Sequence, residues 1–232
     1  MWPFGKKKEA KRKDRKTSYE RKSKETQIEI PLINVDGSGK SEISTSIGFL
    51  DHMLTLFSYH GYFDINLKAK GDTHVDNHHL NEDIGLALGE AFKKALGDCK
   101  GITRTASAEV PMDKANAKVS IDLSNRPAFS LEYRHKEESI ESATHSVAPN
   151  RTTIGMGIAD MADEGYSMQY AKDFLESFAN KLCMNLHIEV GGEGDMHHYL
   201  EAVFKALGMA LDKATQIDPR RDGEVPSSKG IL

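Results

Sequence analysis

Two short stretches with one pattern constrain this chain more than any other feature. His78-His79-Leu80-Asn81-Glu82 and His197-His198-Tyr199-Leu200-Glu201 both read H-H-x-x-E, and each opens a segment of helical apolar spacing. On a helix, adjacent side chains diverge by ~100°, while residues four apart share a face. The glutamate can therefore side with either histidine of its pair, but the two histidines part. One pair thus suits two metal ions better than one. Two pairs, brought together by pseudo-twofold packing of two halves, make a two-metal site.

The segments around the pairs repeat as well. In the first half, residues 25–30 and 41–46 read as strands, 49–60 as a helix, 63–70 as a strand and 81–96 as a helix. In the second, 118–123 and 129–134 read as strands, 168–181 as a helix, 184–190 as a strand and 199–214 as a helix. Each half is strand, strand, helix, strand, histidine pair, helix, which an internal duplication of an α+β unit explains. The halves are assigned to residues 25–105 and 106–232. Residues 137–165 are polar and irregular, and are expected to be an inserted surface loop. Residues 1–24 are Lys/Arg-rich and are expected to be a solvated, disordered tail. Apart from Tyr19, no aromatic residue interleaves with its charges to read bases, so no nucleic-acid partner is expected.

Outside the tail the chain is acidic, since the net charge is only −4. No apolar run approaches the ~20 residues needed to span a bilayer. The start lacks the apolar stretch of a secretory signal, so none is expected. Cys99 and Cys183 stand in unrelated contexts, which is neither a disulfide framework nor a cysteine-type zinc site and suits a reducing cytoplasm.

The duplication also pairs residues upstream of the histidines. His52 precedes Met53-Leu54 on the first helix of one half, and Asp173 precedes Phe174-Leu175 on the matching helix of the other. The candidate ligands are then His52, His78, His79, Glu82, Asp173, His197, His198 and Glu201. They are imidazoles and carboxylates without sulfur, which suits an octahedral Mn²⁺-like ion more than structural zinc. Four protein ligands per ion leave about two open positions for substrate. His60, His74, His135, His145 and His187 lack this support. Of these, His187 reads as structural, His135 and His145 as solvated, and His74 stays open.

The stretches GFLDHML (48–54), HVDNHHLNEDIGLALGEAF (74–92), DLSNRP (122–127), LHI (186–188), HHYLEAVFKAL (197–207) and PSSKGIL (226–232) resemble imidazoleglycerol-phosphate dehydratase. The resemblance implies two similar halves, each a four-stranded sheet with two helices, in a ribosomal protein S5 domain 2-like fold. It implies trimers building a 24-subunit homo-oligomer, with two Mn²⁺ per active site at subunit interfaces. The implied reaction is dehydration of imidazole glycerol phosphate to imidazole acetol phosphate. The family's metal ligands fall on the eight positions above, and its phosphate contacts on Arg104, Arg126, Ser227 and Lys229. Glu25 and Lys205 match further substrate-site positions.

The residue chemistry is compatible with those roles. Arg104 and Arg126 lie near turns, where a guanidinium can grip a phosphate through paired hydrogen bonds. Ser227, Ser228 and Lys229 offer hydroxyls, a bend and an ammonium. Lys205 lies four residues after Glu201, which by itself suggests only a helical ion pair. The expected mechanism binds the substrate's imidazole to the metals as imidazolate, which then expels the neighbouring hydroxyl through a diazafulvene-like species. Glu25 and Glu201 are the candidate proton carriers. Asp173 departs from the histidine that the family often carries there. A non-catalytic metal-binding relative and a dinuclear phosphatase are the rival readings.

Overall fold

The computed structural model describes residues 14–73, 76–134, 162–163, 165–221 and 223–230. His74, His135 and His145 lie outside the described residues, as does most of the 137–165 segment.

The first half contains β1 (Lys16–Lys22), β2 (Thr26–Asn34), β3 (Ser41–Ser44), α1 (Gly48–Gly61), β4 (Asp64–Gly71) and α2 (His78–Leu96). The second contains β5 (Thr105–Met112), β6 (Ala115–Asp122), β7 (Ala128–Arg134), α3 (Met168–Leu182), β10 (Asn185–Gly192) and α4 (Met196–Thr215). A two-residue pair, β8 (Ala162–Asp163) with β9 (Tyr166–Ser167), precedes α3. The sheets run β1-β2-β4-β3 and β5-β6-β10-β7. In both, the first three neighbours pair antiparallel and the last pair is parallel. This is the same unit twice, as the duplication requires. None of the described helices is long and apolar enough to cross a membrane.

Two strands were not legible. Residues 16–22 were assigned to the disordered tail, yet they form β1, paired with β2. β5 received no strand assignment at all. Both are edge strands, with neighbours on one side only, so few apolar residues are needed and charge on the open side is favourable. Tyr19 is half-buried against the core, with Lys94 Nζ 4.4 Å from its ring centre. Arg21 pairs with Asp83 of α2 at 2.7 Å, and Asp83 also accepts from Thr26 Oγ1 at 2.5 Å. In β5, Pro111 is tolerated because an edge strand pairs on one side only, leaving positions whose N–H would face away from the ladder. The helices α2 and α4 also begin earlier than the apolar spacing suggests, so both histidine pairs lie within the first helical turn.

The helices form two layers between the sheets. α2 packs on α3, and α1 on α4, so the two most extensive helix–helix interfaces join one half to the other. Phe57, Phe92 and Phe178, from α1, α2 and α3, meet edge to face at 5.7–5.9 Å. The close approach depends on matched glycines. A Cβ on Gly89 would lie 2.6 Å from the Phe178 carbonyl oxygen, and one on Gly208 would lie 2.5 Å from that of Phe57. The ends of α1 and α3 match too: Tyr62 (φ 56°) and Cys183 (φ 60°) close their helices in the left-handed region. Gly61, one residue past the helix expected over 49–60, is the last helical residue.

Candidate metal centre

The crossed packing decides which ligands meet. α1 carries His52 against α4, where His197 and Glu201 stand one turn apart. His52 Nε2 lies 3.1 Å and His197 Nε2 3.2 Å from the same oxygen, Glu201 Oε1. Among the described residues this is the one trio whose ligand atoms all lie within 4.8 Å of one another. Donors to one ion at ~2.0–2.2 Å are at most ~4.4 Å apart, so the trio is close to ligand spacing. Phe49 packs edge-on against His197 at 5.2 Å and stacks on the buried Tyr166 at 5.0 Å, which fixes the ring from behind.

Glu201 is largely buried, and burial alone raises a carboxyl pKa. Hydrogen bonds from Lys205 and His52 outweigh that and lower it to about 2. Lys205 Nζ donates to Glu201 Oε2 at 2.6 Å and lies 3.3 Å from Met112 Sδ. The helical ion pair suggested by the spacing is therefore present, and it holds Glu201 as an anion.

α2 and α3 assemble the related group. His78 Nδ1 lies 3.1 Å from Asp173 Oδ2, and His78 Nε2 lies 3.7 Å from Glu82 Oε2. Asp173 also accepts from Gln169 Nε2 at 2.7 Å. Each group thus takes one ligand from the first helix of one half and two from the second helix of the other. The second group is looser, because its carboxylates address opposite ring nitrogens of His78.

His79 and His198 stand outside both groups. His79 Nδ1 faces Asp72 at 3.5 Å and Glu25 at 3.9 Å. His198 lies between Asp195, 2.7 Å from Nδ1, and Asp113, 3.2 Å from Nε2. The eight candidates therefore do not gather at one point within a chain. They form two trios and two histidines that belong to neither. The polar atoms His79 Nδ1 and Asp72 Oδ1 are buried without a hydrogen-bond partner. Together with the convergent nitrogen and oxygen donors, that fits a hard or borderline divalent cation.

The phosphate candidates lie elsewhere. Arg104, at φ 78°, donates its backbone N–H to Ala214 at the far end of α4. Its guanidinium forms a fork on Asp122 at 2.6 and 3.0 Å and donates to the Pro226 carbonyl at 2.8 Å. Asp122 raises the Arg104 pKa. Arg126 is exposed just beyond Leu123, whose N–H bonds the Arg104 carbonyl. Ser227 accepts from the Lys229 N–H in an exposed turn that includes Ser228. At a rise of ~1.5 Å per residue, Ala214 is about 20 Å from Glu201 along the helix. The candidate metal trio and the phosphate candidates of one chain cannot hold one small molecule together.

Sequence reasoning passed over Asp72, Asp113 and Tyr170, whose hydroxyl donates to Asp76 at 2.5 Å. The signal that could have found the aspartates is general: a metal-binding histidine usually gives its other nitrogen to a carboxylate. His187, read as structural, is exposed on the outer sheet face and bonds Ser130 Oγ at 2.8 Å.

A family model described as imidazoleglycerol-phosphate dehydratase matches residues 45–211. The dehydratase of Geobacillus kaustophilus is 46% identical over 218 residues, covering 94% of this chain and 99% of the relative. That of Prochlorococcus marinus is 43% identical over 218 residues, covering 94% and 96%. Among solved structures, IGPD from Pyrococcus furiosus superposes with a TM-score of 0.69 at 34% identity, covering 92% of this chain and 99% of that one.

Proposed function

This chain belongs to the imidazoleglycerol-phosphate dehydratase family, and from that premise we propose that it dehydrates imidazole glycerol phosphate to imidazole acetol phosphate in histidine biosynthesis. The observation that carries the reading is the crossed trio of His52, His197 and Glu201, with its looser counterpart His78, Glu82 and Asp173. The two groups would each hold one Mn²⁺. His79 and His198 join neither trio, so each is available to complete a centre in another copy of the chain. The ~20 Å between the trio and the phosphate candidates asks for the same arrangement. A homo-oligomer, built from trimers into 24 subunits as the family resemblance implies, supplies it. The two free cysteines suit a reducing cytoplasm.

When bound, the ions supply Lewis acidity toward the substrate's ring nitrogens. The chain's own residues do the rest. Lys205 keeps Glu201 ionised and oriented, which suits Glu201 to ligation rather than to proton transfer. Glu25 is exposed, 3.9 Å from His79 Nδ1, and among the described residues no lysine or arginine pairs with it. Glu25 is therefore the group that moves the proton between the substrate carbon and solvent. Arg104, Arg126, Ser227, Ser228 and Lys229 bind the phosphate, with Asp122 fixing the plane of the Arg104 guanidinium. The test is ultraviolet detection of the acetol product from imidazole glycerol phosphate with Mn²⁺. Release of inorganic phosphate would replace this reading with a hydrolase, and absence of both products would replace it with a non-catalytic metal-binding shell.

A further inference from the structure

The two histidines that belong to neither trio carry an asymmetry that the duplication does not foresee. Counted from the histidine pairs, Asp76 and Asp195 occupy the same place in the two halves, and Asp72 is matched by Gly191. Both accept a backbone N–H at the start of the following helix, Asp76 from His78 at 3.0 Å and Asp195 from His198 at 2.9 Å, but their contacts with the imidazoles differ. Asp195 lies 2.7 Å from His198 Nδ1. Its counterpart Asp76 is held by the Tyr170 hydroxyl at 2.5 Å and by the His78 backbone N–H at 3.0 Å. The carboxylate facing His79 Nδ1 comes from Asp72 instead, at 3.5 Å from the end of β4, where the second half has no side chain.

An imidazole has two nitrogens, and the one that carries the proton cannot ligate. A carboxylate on Nδ1 holds the proton there, fixes the ring and leaves Nε2 as the ligand. His79 Nδ1 and Asp72 Oδ1 are both buried and unpartnered, and a shift of about half an ångström brings Nδ1 and Asp72 Oδ2 within hydrogen-bond range. For His198 the contact is already made. Among the described residues its Nε2 meets Asp113, an exposed turn residue whose side chain has room to turn aside as a cation binds.

We propose that Asp72 and Asp195 are positioning residues, each presenting Nε2 of its histidine, His79 or His198, to a divalent cation, although they are not equivalent in the duplication. The inference rests on the metal-binding reading above. It concerns two different ions, because the two histidines serve different centres.

The experiment titrates metal-depleted full-length protein with MnCl₂ and reads free Mn²⁺ by electron paramagnetic resonance. Asp72→Ala and Asp195→Ala should each weaken one class of site by about 10–100-fold and leave the other class unchanged. Asp72→Asn and Asp195→Asn, whose amide oxygen still accepts from Nδ1–H, should recover most of that loss, and they decide the matter if an alanine variant does not fold. Asp76→Ala should bind Mn²⁺ like the wild type. Thermal melting of the metal-free variants checks folding independently. If the wild type binds Mn²⁺ but Asp72→Ala and Asp195→Ala bind equally well, or if Asp76→Ala is as impaired as Asp195→Ala, this inference is overturned and the metal reading stands. A wild type that binds no Mn²⁺ overturns both.

Discussion

Replacing Glu201 by Gln tests the electrostatics of the trio without relying on turnover. The carboxylate is largely buried, accepts from Lys205 at 2.6 Å and meets two imidazoles at 3.1 and 3.2 Å. Its pKa falls from the model-compound 4.5 to about 2. At ~1.4 kcal/mol per pKa unit that depression corresponds to about 3 kcal/mol of stability at neutral pH. Lys205 is mostly buried, but the His52 and His197 side chains are more than a third exposed. Solvent screening of those two contacts brings the expected figure to about 2 kcal/mol. The direction with pH is fixed. A depressed carboxyl stabilises fully above its unfolded pKa, and the contribution disappears as pH falls from 4.5 through about 2. Urea unfolding of metal-free protein, followed by circular dichroism, reads this directly. Wild type should exceed Glu201→Gln by about 2 kcal/mol at pH 7, and the two should converge near pH 2. A gap that stays constant over that range would refute the charge argument. So would a variant as stable as the wild type at pH 7.

Other substitutions separate chemistry from architecture. Glu25→Gln should lower kcat by about 10²–10⁴-fold. Its Mn²⁺ content by atomic absorption and its urea midpoint should match the wild type, because Glu25 is exposed. Gly208→Ala should destabilise by about 1–2 kcal/mol in the same urea assay, because overpacking against the rigid Phe57 carbonyl exceeds the ~1 kcal/mol gained in helix propensity. Arg126→Ala should raise KM for the phosphorylated substrate at least tenfold while the unfolding midpoint stays fixed, since the residue is exposed.

What could be read in advance follows from periodicity and from chemical type. The apolar spacing of α1, α2, α3 and α4 located all four helices, and the buried strands β2, β4, β6 and β10 alternate clearly enough to be found. The repeat of His52 with Asp173, and of each H-H-x-x-E stretch, named the ligand types. β1 was missed because its sequence, KTSYERK, reads as charge; the alternation of half-buried and exposed residues has meaning only once β2 lies beside it. β5 was missed for a similar reason, with Pro111 reading as a break. Lys205 was visible as a helical partner of Glu201, but its effect on the carboxyl depends on burial between α1 and α4.

The sequence by itself determined the candidate donors, the duplication and the phase of each histidine on its helix, because those are local properties of residue type and helical period. Tertiary structure decided which donors meet. Packing α1 on α4 and α2 on α3 places His52 with His197 and Glu201 rather than with its own half's pair. The same packing keeps His79 and His198 out of both trios and leaves their Nδ1 atoms to aspartates from unmatched positions. Duplicated sequences share their local preferences, but the carboxylate that reaches a given nitrogen is set by the path of the surrounding backbone, and that path differs between the halves where Asp72 follows the end of β4 at Gly71 and β10 ends in Gly191-Gly192.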